Sequence, residues 1–470
     1  MHIIICGAGR VGLGLVDRLA TDRADIVVID PDGRSHKRAM ARDVLPVRDH
    51  AHRRSALQQA NLKDGSIIVA ATPNDAINIQ ICSLARDLAS MNGWSVRTIA
   101  RLDEGDNLGE MRSGRLSIWG GVDSSVHPTE ESVRRLVDGF SSKLGGEEIK
   151  RFDSEAMLLT LSIDDAHALI GCMPHQLEAI HYLGRLVKGQ SKIIVEPERP
   201  IASGDLLLMG TKDEEGARYL RSFHAGSDAV DRSLRVCVLG ANQQGVRIST
   251  QALDLDAKVI LVEPDLDRIN RISGSRLARK EGFELIHGDH HDAGLLDEID
   301  FRGMDVVIGS MDTDHASIAA ALHALDLGIE RTGVILNQED LSGVARRMGI
   351  SHVIDHVDVA VDGIMSNIGS LRDLDVTTFR RLPGYDVLTL TIPDRAVANE
   401  GVLFSELGLP HCIPVFHRGP RSAPPMFLTS TTMVRAGSTI MIIAEHEASK
   451  HIEQKVLQWK DAVGDGAEQA

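Results

Sequence analysis

A glycine-rich turn near the start of the chain has the spacing of a phosphate-binding loop. Gly7-Ala8-Gly9-Arg10-Val11-Gly12 follows a short apolar run, His2 to Cys6, and precedes a helical pattern. The first glycine permits a tight turn, the second lets the backbone approach a pyrophosphate, and the third lets the helix lie close to the sheet. The helix start offers free N–H groups to phosphate oxygens. The pattern therefore predicts a site for the diphosphate of a nucleotide.

Asp30 is the residue expected to select the nucleotide. It follows the apolar stretch Asp25 to Ile29, which is predicted as the second strand, so it should lie beside the glycine turn. A carboxylate at this position accepts hydrogen bonds from an adenosine ribose and repels a 2′-phosphate. The sequence therefore favours NAD(H) over NADP(H).

The same order of residues recurs in the second half. Gly240-Ala241-Asn242-Gln243-Gln244-Gly245 stands where the first half has its glycine turn, and Glu263 stands where it has Asp30, at one common interval. Two landmarks at one interval indicate an internal duplication. Asn242 replaces the second glycine, and its side chain would crowd a pyrophosphate. Nucleotide binding and a purely architectural role both remain open for this half.

Catalytic chemistry is not indicated. The chain has no GxxxxGK[ST], GxSxG or HExxH sequence. The stretch from His287 to Asp292 could suggest a metal, but adjacent histidines on one loop rarely converge on one ion. No proton donor or substrate clamp stands out, and a dehydrogenase needs both. We expect a non-enzyme, with an NAD-dependent oxidoreductase as the alternative.

Composition excludes other classes. The 470 residues carry a formal charge of −16, only 3% are aromatic, and no block of Lys and Arg occurs, so a nucleic-acid partner is not expected. Five cysteines without a CxxC spacing suit a reducing compartment. No apolar run approaches the roughly 18 residues that cross a bilayer, so we expect a cytoplasmic chain.

The pattern of elements predicts four lobes, and thus an α/β protein. Two Rossmann-like parallel-sheet lobes, each followed by a small α+β lobe, are expected in the order N1-C1-N2-C2. The predicted spans are 1–125 with a crossover helix to about 145, 148–226, 233–355 with a crossover helix to about 370, and 376–458, with a frayed tail at 464–470.

Each crossover helix carries an apolar stripe. Val133, Leu136, Val137 and Phe140 form the first, and Val361, Ile364, Met365 and Ile368 repeat its spacing. Such a stripe can pack against its own lobe or against the other lobe. Both arrangements are open at this point.

The whole pattern resembles the Trk-type (TrkA-type) potassium-uptake regulatory subunits, in which two RCK (KTN) N-lobes alternate with two RCK C-lobes. The resemblance extends from residue 1 to about 457. It is carried by the first glycine turn with Asp30, the polar turns Thr72-Pro73-Asn74-Asp75 and Asp312-Thr313-Asp314, the pair Ala100-Arg101, and the stretch Glu406-Leu407-Gly408-Leu409-Pro410.

The resemblance implies a cytosolic gating subunit at the inner face of the membrane. It would bind NAD(H), or ATP or ADP, in a way that changes the hinge angle between lobes. It would form a homotetramer and dock on a membrane-embedded potassium transporter. Regulation of a different transporter is the alternative.

The resemblance also assigns site residues. Gly7, Gly9 and Gly12 would hold phosphates, Asp30 the ribose, and Arg101 would lie near the nucleotide edge, with Asp49, His50 and Thr72 completing the first site. In the second half it adds Gly240, Gly245, Glu263 and Asp289.

The chain departs from the family pattern in three places. Arg48-Asp49-His50-Ala51-His52 replaces Gly-Asp-Ala-Ser/Thr, so His50 would face the adenosine. The second half keeps Gly288-Asp289 but follows them with His290-His291. Asn337 stands where the first half has Arg101.

Overall fold

The computed structural model describes residues 2–19, 25–42, 44–103, 105–141, 146–152, 156–163, 167–177, 180–186, 192–213, 215–216, 219, 233–289, 291–329, 331–371, 376–382, 385–393, 401–420 and 424–461. The chain divides into two units, Met1–Ser141 with Ser233–Ile368, and Ser142–Arg232 with Gly369–Ala470. Among the described residues, no helix combines the length and the hydropathy needed to cross a bilayer.

The first Rossmann-like lobe is built on a six-stranded sheet. Its elements are β1 (His2–Cys6), α1 (Arg10–Leu19), β2 (Asp25–Ile29), α2 (Gly33–Met40), β3 (Leu45–Val47), α3 (Arg54–Gln59), β4 (Ile67–Ala70), α4 (Asp75–Asn92), β5 (Arg97–Arg101), α5 (Gly105–Arg112), α6 (Arg115–Trp119), β6 (Ser124–Val126) and α7 (Pro128–Ser141). All strands are parallel, in the order β3-β2-β1-β4-β5-β6. The winding reverses between β1 and β4, which places a ligand crevice at the carboxyl ends of these strands.

The first small lobe is an antiparallel sheet. Its strands are β7 (Gly146–Arg151), β8 (Met157–Ser162), β9 (His181–Leu186), β10 (Ile193–Ile194) and β11 (Leu206–Thr211). They are arranged in the order β10-β9-β11-β8-β7.

The second Rossmann-like lobe repeats the first. It contains β12 (Arg235–Leu239), α8 (Gln243–Leu253), β13 (Lys258–Glu263), α9 (Leu266–Ser273), β14 (Phe283–His287), α10 (Ala293–Glu298), β15 (Val306–Gly309), α11 (Asp314–Asp326), β16 (Thr332–Leu336), α12 (Glu339–Arg347), β17 (His352–Asp355) and α13 (His356–Leu371). The strand order, β14-β13-β12-β15-β16-β17, is that of the first lobe. This agreement confirms the internal duplication at the level of topology.

The second small lobe carries a five-stranded and a two-stranded antiparallel sheet. Its elements are β18 (Val376–Leu382), β19 (Tyr385–Thr391), β20 (Val402–Leu403), β21 (Cys412–Arg418), β22 (Met426–Phe427), β23 (Met433–Val434), β24 (Thr439–Glu445) and α14 (His446–Asp461). The larger sheet has the order β18-β19-β24-β21-β22.

The two small lobes share a core. Leu158 and Leu183 of the first lobe cluster with Val387, Phe416 and Met441 of the second, all of them buried. The two small lobes are therefore held together by apolar burial, which is the main source of stability in a unit built of short strands.

The two crossover helices are exchanged between the Rossmann-like lobes. The stripe of α7 (Val133, Leu136, Val137 and Phe140) is buried in one cluster with strand and helix residues of the second lobe, among them Val236, Ile248 and Ile354. In return, α13 lies on the first lobe, since a methyl group on Gly14 would come within 3.1 Å of Val361 and one on Gly363 within 2.5 Å of Val126. Packing on the other lobe, one of the two arrangements left open by the sequence, is thus confirmed.

The predicted fold class, with two parallel-sheet lobes and two small α+β lobes, is confirmed by these sheets. The exact lobe boundaries stay a prediction, and the tail at 464–470 lies outside the described residues. The five cysteines are free thiols, and burial raises the pKa of Cys82 and Cys237 to about 12.

Candidate nucleotide site

The first glycine turn has the geometry that its sequence predicts. Gly7 has φ 108°, and its N–H donates to the Ile29 carbonyl at 2.8 Å. A methyl group on Gly12 would lie 1.8 Å from the Gly7 carbonyl oxygen, so the start of α1 can approach the turn only with glycine there. A methyl group on Gly9, by contrast, would meet no atom within 4 Å. The turn therefore leaves open space at the position where phosphates bind in this fold.

Asp30 braces this turn and lines the crevice beside it. Its Oδ2 accepts a hydrogen bond from the Ala8 N–H at 2.7 Å, and its Oδ1 accepts one from the Asp32 N–H at 2.8 Å. Each carboxylate oxygen has a second acceptor site, so a ribose hydroxyl can still donate to it. Asp30 is thus fixed in place and remains able to bind a sugar.

A cleft of about 540 Å³ lies at the carboxyl ends of the first-lobe strands. Eight residues predicted from the sequence line it: Gly7, Gly9, Arg10, Val11, Asp30, His50, Thr72 and Arg101. Ala8 and Gly12 shape the turn, as described above. Asp49 is not among the lining residues. Its carboxylate accepts hydrogen bonds from the His50 N–H and the Ser55 hydroxyl, and the His50 N–H is the main cause that lowers its pKa.

The Asn78 side chain forms hydrogen bonds to residues at the ends of both β4 and β5, which border the cleft. Asn78 Oδ1 accepts from the Thr72 hydroxyl at 2.7 Å, and its Nδ2 donates to the Arg101 carbonyl at 2.8 Å. The Arg101 guanidinium is paired with Asp103 at 2.7 Å. Thr72 and Arg101 therefore line the cleft through side chains that are already positioned.

Further lining residues come from the turn after β2. Pro31, Asp32 and Ser35 face the cleft, and Asp32 caps α2 by accepting from the Arg34 and Ser35 N–H groups. The Ser35 N–H is the main cause that lowers the pKa of Asp32. The Asp-x-x-Ser spacing at a helix start is the sequence signal that would have found this segment.

Three more lining residues belong to the second lobe: Asn337, His356 and Val357. Arg10 Nη1 donates to the Asn337 carbonyl at 3.0 Å, so the first glycine turn is bonded to the end of β16. His356 Nδ1 lies 3.2 Å from the Ser132 hydroxyl of α7, and burial lowers the pKa of His356. The sequence marked Asn337 only as the counterpart of Arg101 in the second half. Nothing in the local sequence places these residues at the first site, because they reach the cleft only through the packing of the second lobe on the first.

Side chains of the second lobe form hydrogen bonds to the N–H groups of its own glycine turn. Gly240 has φ 101°, and Glu263 Oε2 accepts from the Ala241 N–H at 2.6 Å, as Asp30 does from Ala8. Asn242 caps α8, with its Oδ1 accepting from the Gly245 N–H at 2.9 Å. Asp289 follows β14 and accepts from the His291 N–H at 3.0 Å.

In the part of the chain that the structure describes, no three His, Cys, Asp or Glu side chains come close enough to hold a metal ion. His287 of the histidine-rich stretch contacts the Pro264 carbonyl at 3.1 Å, and His291 stacks on His323.

Comparison with known proteins decides the family. The model of the TrkA-N domain matches residues 3–128 and 236–356, which together are more than half of the chain. The chain belongs to the TrkA-N domain family. Both matched segments coincide with the Rossmann-like lobes, and the predicted resemblance to TrkA-type regulators with tandem RCK lobes is confirmed.

Curated relatives extend the similarity beyond these lobes. The Trk system potassium uptake protein TrkA of Azorhizobium caulinodans is 24% identical, over 78% of this chain and 80% of its own length. A TrkA homologue of Methanosarcina mazei is 25% identical, over 78% of this chain and 88% of its own length. TrkA of Vibrio alginolyticus is 22% identical, over 81% of this chain and 82% of its own length.

Solved structures share the fold. The RCK domain of GsuK superimposes with a TM-score of 0.59 and 15% identity, covering 97% of this chain and 95% of that one. The GsuK channel bound to NAD gives a TM-score of 0.59 and 16% identity, covering 97% and 79%. At this identity the likeness describes the fold alone.

Proposed function

We propose that the chain is a nucleotide-binding regulatory subunit of a membrane potassium-uptake transporter. The observation that carries the proposal is the open glycine turn at Gly9 beside the braced carboxylate of Asp30. The names of the TrkA relatives, which cover most of the chain, supply the transport system. We propose a cytosolic chain, held at the inner face of the membrane by its transporter and assembled as a homotetramer.

NAD(H) is the proposed ligand, with ADP and ATP as the alternatives. The N–H groups at the start of α1 and the Arg10 guanidinium would hold the diphosphate, and Asp30 would accept from the ribose hydroxyls. Asp32 adds a second carboxylate to the same wall, which opposes a 2′-phosphate and supports NAD(H) over NADP(H). His50 and His52 line the remaining wall, on the side proposed for the adenosine.

Arg10 supports a mechanism in which binding changes the angle between the lobes. Its guanidinium lines the cleft and at the same time donates to the Asn337 carbonyl of the second lobe. Charged phosphate oxygens are stronger acceptors than a neutral carbonyl. On nucleotide binding, Arg10 would exchange one partner for the other and loosen this contact between the lobes.

A ligand shifts a conformational equilibrium only by its different affinities for the two states. The wall formed by Asn337, His356 and Val357 gives the nucleotide such a difference, since any rotation of the second lobe changes that wall. The lobe angle is therefore proposed as the signal passed to the transporter.

The proposal is tested in two steps. Calorimetric titration of the full chain with NADH, NAD, ATP and NADPH should show saturable binding, weakest for NADPH and lost in Gly9→Trp. Purification from membranes in mild detergent should then retain a multi-span potassium transporter. Absence of binding by any nucleotide contradicts the proposal.

A metabolite panel tests the alternative of an oxidoreductase. We expect the absorbance of NADH bound to the chain to stay constant with every metabolite, because the proposed role is regulatory. A metabolite that oxidises it catalytically would show that the chain is an enzyme.

A further inference from the structure

The second glycine turn is filled by side chains of its own lobe. Asn242 occupies the position of Gly9, and its Oδ1 accepts from the Gly245 N–H at 2.9 Å and from the Ser310 hydroxyl at 2.8 Å. Its Nδ2 donates to the Met311 carbonyl at 2.8 Å. The amide thus takes up an N–H of the helix start that the first lobe leaves free for a phosphate oxygen.

The same turn is packed more tightly than its counterpart. A methyl group on Gly240 would lie 2.3 Å from the Ser310 carbonyl oxygen and 2.9 Å from Met311 Sδ. On Gly7 of the first lobe, the nearest atoms would be 3.3 Å away. The space next to the turn is therefore smaller in the second lobe.

An ion pair spans the region that is the cleft mouth in the first lobe. Arg268 Nη2 lies 2.8 Å from Asp312 Oδ1 and 2.9 Å from its Oδ2, and Arg268 Nη1 lies 3.6 Å from Glu263 Oε2. Glu263, the counterpart of the ribose-binding Asp30, is 2% exposed. Its second oxygen accepts from the Asp265 N–H at 2.9 Å.

The position of this ion pair has a direct equivalent in the first lobe. Arg268 lies three residues after the helix cap Asp265, and Ser35 lies three residues after the helix cap Asp32. Asp312 lies two residues before the start of α11, and Pro73 lies two residues before the start of α4. Ser35 and Pro73 both line the open cleft. Two uncharged lining residues of the first lobe are thus replaced by a bonded pair of charges in the second.

We infer that the nucleotide site of the second lobe is blocked by its own side chains, Asn242 and the Arg268–Asp312 pair. Each chain then binds one dinucleotide or nucleoside polyphosphate, in the first lobe. The inference rests on the proposed function. A diphosphate entering the second turn would have to displace three hydrogen bonds of Asn242 and break an ion pair, whereas the turn at Gly9 is open. The second lobe then serves the first site as its wall, through Asn337 and His356.

Binding stoichiometry on the full chain tests this inference. Titration with NADH and with ATP should give one site per chain, and Gly9→Trp should reduce this to zero. The variant Asn242→Gly/Arg268→Ser, which introduces the first-lobe residues, should raise the value toward two. Circular dichroism would check that it folds, and Arg268→Ser alone is the milder variant if it does not.

Each outcome has a distinct meaning. Two sites in the wild-type chain, or one site retained in Gly9→Trp, would overturn the inference and leave the proposed function intact. A folded double variant that stays at one site would show that these side chains are not what closes the turn. No binding by the wild-type chain at all would instead count against the proposed function.

Discussion

Arg18 of α1 donates from Nη1 to Asp362 Oδ1 of α13 at 2.5 Å, although 344 residues separate them in the sequence. The Asp362 side chain is 5% exposed, and Arg135 of α7 lies 3.8 Å from its other oxygen. One buried carboxylate therefore connects the helix of the first glycine turn with both exchanged helices.

Replacing Asp362 by Asn should destabilise the Rossmann-like unit. The change removes the buried negative charge that lies between Arg18 and Arg135. Each guanidinium keeps one more exposed partner, Asp358 or Glu131, so the loss should be at most about 3 kcal/mol of the free energy of unfolding. Urea unfolding followed by circular dichroism measures this. The matched control is Asp358→Asn, because Asp358 also pairs with Arg18 but its side chain is 49% exposed, and its loss should cost less than about 1 kcal/mol. Equal effects of the two changes would contradict a special role for Asp362.

Replacing Asp30 by Asn should weaken NADH binding at least about tenfold, since a hydrogen bond to a charged acceptor contributes about 1.5–3 kcal/mol. The preference for NADH over NADPH should shrink at the same time, because the carboxylate no longer repels a 2′-phosphate. Calorimetry gives both affinities. The equivalent change Glu263→Gln in the closed second lobe should leave them unaltered, and an equal loss there would show that both lobes bind.

Replacing Arg10 by Ala should reduce the affinity for NADH and for ATP about tenfold, because a charged partner of the phosphates is lost. The contact with the Asn337 carbonyl disappears as well, so nucleotide binding should produce a smaller change in lobe angle. Fluorescence energy transfer between dyes on the two lobes would report it. Gln243, the exposed counterpart of Arg10 in the second lobe, gives the control Gln243→Ala. An undiminished angle change in Arg10→Ala would rule out the partner exchange.

Acid should weaken the attachment of α7 to the second lobe. Burial lowers the pKa of His352, which lies against Gly139 of α7, to about 4, whereas the unfolded chain takes up its proton near 6.5. The stability that neutral His352 contributes is complete above about pH 6.5 and is lost as the pH falls toward 4, by up to about 3 kcal/mol.

Urea unfolding between pH 7 and pH 4.5 measures this loss. His352→Gln should flatten the dependence on pH, although burial lowers the pKa of His127 and His356 too and leaves part of the slope. The exposed His287 provides the control His287→Gln, which should keep the full slope. A slope unchanged in His352→Gln would exclude this histidine as the cause.

The first site was predictable where its chemistry is local. Gly7, Gly9 and Asp30 lie together at one turn, so their spacing alone predicted that they would be neighbours. Asn337 and His356 could not be predicted in this way, because an apolar stripe on a helix has the same spacing whichever lobe buries it. Their presence in the cleft depends on that choice of partner.

Two details of the sites required the folded structure. Asp49 follows a strand as expected, but its carboxylate accepts hydrogen bonds from the His50 N–H and the Ser55 hydroxyl, and it does not line the cleft. The sequence marked Asn242 as an obstacle by its bulk. Its hydrogen bond to Gly245 is a local helix cap, whereas its bonds to Ser310 and Met311 depend on the distant turn after β15, which only the folded chain brings close.

The fold as a whole was predictable because it is repeated. Each half contains the same order of strands and turns, so weak local signals support one another across the duplication. The exact lobe ends were less predictable, since loop composition does not define where the last contact of a lobe lies.

The exchange of α7 and α13 has a consequence for how such a chain could arise and be made. A chain of half this length would emerge with the stripe of its last helix uncovered, and could bury it only by trading that helix with a second copy of itself. Duplication within one gene joins the two exchanging lobes in one chain, so their pairing no longer depends on protein concentration. In a duplicated chain, the second lobe can also lose its nucleotide site while the first lobe keeps its own.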